Sequence, residues 1–301
     1  MMMNSSFNEY LIRNGCSKST IVSYQRTVDK FLHWCSNNNY IIEQMNYNRC
    51  MEYFNVLTEK NKRCILTETT VKSYTGAIKS YFNYLVSEDI FEVNPIENYN
   101  YSIDKGYEHN VLSKSELELL YDAFPIENIK LPSCKSVAIR NKVITGFIVF
   151  QGLDTTILKY LKVEHVNLEK GKLKVPGTKK TEAKTYKLES TQMWTLQQYL
   201  LIDREILQKR INDYSEALFP LNSDRFSIIT NQVVKVLKTI NYRVQDMKQL
   251  RASVIANWIQ NDDLRTVQRK ARHRFISSTE VYLKYKKNDD RDSVDEYQVM
   301  K

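Results

Sequence analysis

Ala271-Arg272-His273-Arg274-Phe275-Ile276-Ser277-Ser278-Thr279-Glu280-Val281-Tyr282 is the stretch around which the chain is organised, read together with Lys248-Gln249-Leu250-Arg251 upstream. A His and a Tyr nine positions apart, preceded by an Arg and a Lys, suit one chemistry. A phenol oxygen attacks a backbone phosphate, and cations neutralise the non-bridging oxygens as negative charge builds in the transition state.

The rest of the composition agrees with a polyanionic partner. The chain has 301 residues, 42% hydrophobic and 26% charged, enough for two globular domains with their own cores. The net charge of +9 suits nucleic acid first and an anionic membrane surface second. Five cysteines (Cys16, Cys35, Cys50, Cys64, Cys134) and four histidines are scattered without metal-ligand spacing, so no metal or other cofactor is expected. An odd cysteine count and an N-terminus without the order of a secretion signal suggest a reducing cytoplasm. No apolar run approaches the ~18 residues of a membrane span. With only seven Gly and five Pro, the fold is expected to be mainly α, with long helices and few tight turns.

Taken in order, residues 5–14 predict a short helix that Gly15 ends. A second helix restarts at Ser17-Lys18-Ser19-Thr20 and carries Ile21, Tyr24, Val28, Phe31, Leu32 and Cys35 on one face. A third covers about 47–60, and a fourth starts at Glu68 with Val71, Tyr74, Ile78, Tyr81, Phe82 and Leu85. Four helices with short links make a bundle. Residues 96–111 lack a clean period and read as a linker. Ser113 with Glu116 forms a capping box opening a helix whose apolar face is Leu117, Leu119, Leu120 and Phe124. An apolar run within Arg140–Tyr160 breaks at Gln151-Gly152-Leu153. Val166–Leu168, Lys172–Val175 and Thr185–Leu188 alternate apolar with polar and predict a small three-stranded sheet. Helices follow at about 191–207 (with Trp194 on the apolar face), 230–240, 247–260, 263–272 and 278–286. Residues 288–301 are a polar tail.

These motifs resemble the tyrosine recombinases, or phage integrases, in a Xer-like two-domain form. The resemblance rests on the His273…Tyr282 interval, on Lys248-x-x-Arg251, on Ser19-Thr20-Ile21-x-x-Tyr24, and on Phe82-x-Tyr84-Leu85 before Asn94-Pro95. It implies a core-binding, SAM-like domain over 1–95 and a linker over 96–111. A mixed α+β catalytic domain would cover 112–287, with a C-terminal tail over 288–301. It implies a site-specific recombinase or integrase that clamps double-stranded DNA as a homo-tetramer on paired sites. No membrane and no small-molecule substrate would be involved, and a mobile genetic element is an expected setting. Tyr282 would be the nucleophile forming a 3′-phosphotyrosyl link, with Tyr285 as its near neighbour. Arg251 would fork onto phosphate oxygens. His273 would donate a hydrogen bond to the phosphate, and Lys248 would stand where most members have His. Lys179 would be the general acid for the leaving 5′ oxygen, with Lys180 and Lys184 as rivals.

The resemblance breaks at Gly152-Leu153-Asp154-Thr155-Thr156-Ile157. The family pattern is Gly-Leu-Arg followed three residues on by Glu, so the first catalytic arginine falls on Asp154 and the Glu on Ile157. Losing one transition-state donor typically costs ~100- to 1000-fold in rate. Three explanations stay open: another cation serves (Arg272, Arg274 or Arg140), the site works slowly, or the chain binds DNA without cleaving it. A lone type IB topoisomerase-like relaxase would share the same chemistry. Ala271-Arg272 also replaces the usual Leu-Gly before the His, so the turn there is expected to differ.

Overall fold

The computed structural model describes residues 2–58, 66–101, 110–178, 181–221 and 226–286. The chain divides into two compact units, residues 1–107 and 108–301. Among the described residues no helix is long and apolar enough to cross a membrane.

The first unit is a four-helix arrangement of α1 (Met2–Arg13), α2 (Lys18–Asn37), α3 (Tyr47–Thr58) and α4 (Glu68–Ser87). Gly15 takes a left-handed φ of +72° just past α1, which a residue without Cβ adopts at no steric cost. Ser17 and Thr67 cap α2 and α4 by accepting from the amides of Thr20 and Thr70. The aromatic stripe forms the core: Phe31 packs edge-on to Tyr53 and Phe82, and Phe7 edge-on to Tyr81. Residues 96–101 do not run free as a linker. Ile96 is buried in this core, and Tyr99 lies parallel to Phe54 at 5.1 Å. Two apolar side chains at this spacing bury surface that water would otherwise cover, which fixes the segment.

The second unit opens with α5 (Lys114–Asp122), whose capping box has both reciprocal bonds between Ser113 and Glu116. Leu117 and Leu120 point inward, but Leu119 is 53% exposed: one position of the apolar stripe overshoots the buried face. The central helix α6 (Pro132–Val149) begins eight residues before the apolar run suggests, because Pro132 sits at its first turn, where a missing N–H costs nothing. After α6 the chain turns through Gly152 into α7 (Thr155–Tyr160). Strands β1 (Val166–Asn167), β2 (Lys172–Val175) and β3 (Lys184–Lys187) form an antiparallel sheet in the order β1-β2-β3, with Leu173 opposite Tyr186 and Val175 opposite Lys184.

The helix expected over 191–207 is three pieces. These are α8 (Ser190–Gln198), a π turn over Tyr199–Asp203 and α9 (Arg204–Ile211). The π turn seats Tyr199 in the core, with its hydroxyl donating to the Leu218 carbonyl at 2.7 Å. Trp194 is 76% exposed rather than buried, because among the described residues none covers that side of α8. Helices α10 (Phe226–Ile240), α11 (Met247–Asn261) and α12 (Leu264–Ala271) follow. A helix expected over 278–286 is instead the single turn α13 (Ser277–Glu280), a break at Val281–Tyr282 and a 3-10 turn at Leu283–Tyr285. The tail 288–301 lies outside the described residues.

Gly152 sets the approach to α7. Its φ is +61°, and a Cβ added there would lie 2.7 Å from the Trp258 ring. Gly152→Ala is therefore expected to lower stability by about 1–3 kcal/mol in urea denaturation, from strain at positive φ plus overpacking.

Candidate active site

Three helix ends converge on one guanidinium. Asp246 caps α11 by accepting from the Gln249 amide at 2.8 Å. Leu250 and Val254 then point into the main core, while Arg251 takes the other side. Its Nη1 donates to Asp154 Oδ2, and its Nη2 donates to the Ala271 carbonyl at 2.7 Å. Asp154 is itself the N-cap of α7, its Oδ1 accepting from the Ile157 amide at 2.8 Å. The pair is mostly shielded: the Arg251 side chain is 17% exposed and that of Asp154 38%. Here the charge at Asp154 opposes that of the arginine expected from the sequence pattern, and it is spent on Arg251.

The end of α12 sets the next residues. Arg272 adopts a left-handed φ of +56°, doing with an arginine what a glycine does more cheaply, and the His273 amide donates back to Gln268 O at 3.0 Å. His273 Nδ1 shares a hydrogen bond of 2.8 Å with the hydroxyl of Thr279, which is fully buried. In the tautomer whose Nδ1 accepts from this hydroxyl, the ring proton sits on Nε2. Burial and then the Arg251 charge push the His273 pKa down to about 4, so the ring is neutral at neutral pH. The Tyr282 ring lies 6.1 Å from that of His273, at an interplanar angle of 18°. Tyr282 packs on Ile255, Ile259, Val267 and Ala271, and burial raises its pKa, with Arg251 acting in the opposite sense. The phenol thus stays protonated at rest, and the guanidinium is the cation in place to stabilise its anion.

The sheet is stitched to the same corner. Tyr186 OH donates to Lys270 O and Lys184 Nζ to Arg269 O, each at 2.8 Å. Burial, then the charges of Lys270, Arg269 and Arg272, push the Lys184 pKa down to about 8. Arg272 Nη2 reaches the turn between β2 and β3, donating to Pro176 O at 2.7 Å and to Thr181 Oγ1 and Glu182 O, both at 3.1 Å.

The structure therefore brings together Tyr282, His273, Arg251 and Asp154. Lys248 is exposed and lines a groove beside Asp154 and Arg251, together with Lys235 and Lys238 of α10. Lys179 and Lys180 lie outside the described residues. Of the candidate compensating cations, Arg272 is committed to the hairpin turn and Arg274 lies over the Phe275 ring at 4.9 Å. Arg140 is buried in α6, where Nε and Nη2 donate to Asn141 Oδ1, and none of its partners belongs to the cluster around Arg251. Thr279 and Tyr186 are the members that sequence reasoning did not single out. Thr279 sits in a Ser/Thr-rich turn where hydroxyls read as caps, and Tyr186 is one of twenty tyrosines. Among the described residues no group of His, Cys, Asp and Glu could hold a metal ion.

A model of the phage integrase N-terminal SAM-like domain matches residues 5–89, and that of the phage integrase family matches residues 110–289. Tyrosine recombinase XerD of Oceanobacillus iheyensis is 24% identical over 284 residues, covering 92% of this chain and 91% of that protein. Tyrosine recombinase XerD of Haemophilus influenzae is 24% identical over 293 residues, covering 91% and 90%. Among solved structures, the XerH site-specific recombinase bound to palindromic difH substrate in a post-cleavage complex shares the fold, with a TM-score of 0.70 and 20% identity over 93% of this chain and 79% of that one. A lambda integrase (75-356) dimer bound to a COC′ core site gives 0.62 and 14%, covering 92% of each chain.

The depressed His273 pKa has a pH consequence. The unfolded chain, with an ordinary histidine, takes up the proton first as pH falls. The contribution is fully present above about pH 6.5 and is lost as pH falls towards the folded value of about 4. NMR titration of the His273 ring is expected to show no protonation down to pH 5, and Thr279→Val is expected to leave the ring mobile and shift its titration.

Proposed function

The chain belongs to the phage integrase family, and from that premise we propose that it is a site-specific DNA recombinase that cuts and rejoins strands through Tyr282. The observation that carries this reading is the juxtaposition of Tyr282 with His273, and of both with the charge of Arg251, at the joint of α11, α12 and α13. In the proposed step, Tyr282 Oη gives up its phenol proton to solvent and bonds to phosphorus as the bond from phosphorus to the 5′ oxygen breaks. The leaving oxygen takes a proton, from Lys179 in this reading, with Lys180 and Lys184 as the rival donors. A 3′-phosphotyrosyl link and a free 5′-hydroxyl result, and the bond energy is kept for rejoining without a nucleotide cofactor. Neutral His273 donates from Nε2 to a non-bridging oxygen, and Arg251 and Lys248 supply positive charge to the others. Double-stranded DNA is the partner, and a homo-tetramer on paired sites in the cytoplasm is the working assembly. A mobile genetic element is the setting this reading favours.

A second reading has its own observation. The ion pair between Asp154 and Arg251 lowers the net positive charge offered to a phosphate. That favours a protein that binds DNA as an accessory factor of a mobile element without cleaving it.

Trapping separates the two. Duplexes nicked near candidate cut sites are expected to give a covalent complex that survives denaturant with the wild-type chain and is lost in Tyr282→Phe, while DNA binding is retained. Salt-sensitive binding with no covalent complex in either protein would establish the second reading.

A further inference from the structure

Asp154 is held at both oxygens. Oδ1 caps α7 at the Ile157 amide, and Oδ2 receives Arg251 Nη1. The cap anchors the carboxylate to the end of a helix, so it cannot swing off the guanidinium without also giving up the Ile157 amide. Arg251 is equally constrained, because Nη2 is tied to the carbonyl that ends α12. An arginine with one edge on a fixed carboxylate presents fewer donors, and less net charge, to any other anion.

We propose that Asp154 is a built-in competitor of the DNA phosphate for Arg251: an internal carboxylate that occupies the guanidinium until a phosphate displaces it. Asp154 is then a positioning residue that acts through Arg251, and it sets how readily the site engages a strand. The inference rests on the proposed reading of this site as a DNA phosphate site. The groove beside the pair carries Lys235, Lys238 and Lys248, whose charges attract a phosphodiester chain to the wall that Asp154 and Arg251 share. When a phosphate displaces Asp154, the DNA releases a condensed cation and the freed carboxylate takes one up, so the exchange has no net release, whereas binding to an unoccupied guanidinium releases one.

That difference is measurable without cleavage. Affinity for a short DNA duplex is titrated against salt for four proteins: wild type, Asp154→Asn, Arg251→Gln and the double variant. Asn caps a helix as well as Asp does, and Asp154→Ser is the second capping variant should Asp154→Asn fold poorly. Each cation released net contributes about −0.9 to the slope of log affinity against log salt. The expected result is that Asp154→Asn steepens the slope by about 0.9, that Arg251→Gln alone leaves it unchanged, and that the double variant returns to the wild-type value. A slope that Arg251→Gln alone flattens by about 0.9, with Asp154→Asn silent, would overturn the inference while leaving the DNA-binding reading intact. Absence of salt-dependent binding in all four proteins would overturn that reading and the inference with it.

Discussion

Arg251 lies at the meeting point of three chain segments. One of its amino groups is bonded to the carboxylate that starts α7, and the other to the carbonyl that ends α12, while its own backbone belongs to α11. This tie engages the last carbonyl of α12. Where that helix stops determines where Arg272 turns left-handed, and hence where His273 emerges. His273 in turn meets Thr279, and Tyr282 follows three residues on, seated on Ile255, Ile259 and Val267 of α11 and α12. The arrangement of imidazole and phenol is thus built outward from a half-buried cation. Arg272 extends the same frame to the turn between β2 and β3 by three hydrogen bonds from one nitrogen.

The electrostatics of this frame are those of a resting site. Burial keeps His273 neutral and Tyr282 protonated, and the Arg251 charge opposes protonation of the first and favours ionisation of the second. A neutral imidazole is a hydrogen-bond donor rather than a competing cation, so Arg251 is the positive charge that acts on both rings. Whatever controls that charge controls the chemistry proposed for the phenol. Asp154 is the group in position to do so, and the lysines of the adjoining groove are exposed where the carboxylate is held at both oxygens.

Local features were legible in the sequence because local chemistry decides them. Ser113 and Glu116 make a capping box by spacing alone, Gly15 marks a helix end, and alternation around Gly171 places two strands of the sheet. Periodicity failed where the outcome depends on what covers a face: it assigned Trp194 and Leu119 to a core from which both project. It also missed the start of α6, where Pro132 opens a helix ahead of its apolar run, and the π turn that breaks the helix after Gln198. The grouping of Arg251, His273 and Tyr282 was expected from a motif resemblance rather than from patterning. The bond from Arg251 to Asp154 spans 97 positions, and no spacing rule encodes it. The motif resemblance led to the expectation of a reversed charge at Asp154; only the fold shows which cation that carboxylate holds.

The most direct measurement is the identity of the residue that carries the nucleotide. A trapped complex digested with nuclease and protease, then read by tandem mass spectrometry, is expected to place a 3′-linked nucleotide on Tyr282, with a free 5′-hydroxyl on the released strand. An adduct on Tyr285 or on any other side chain would contradict the account.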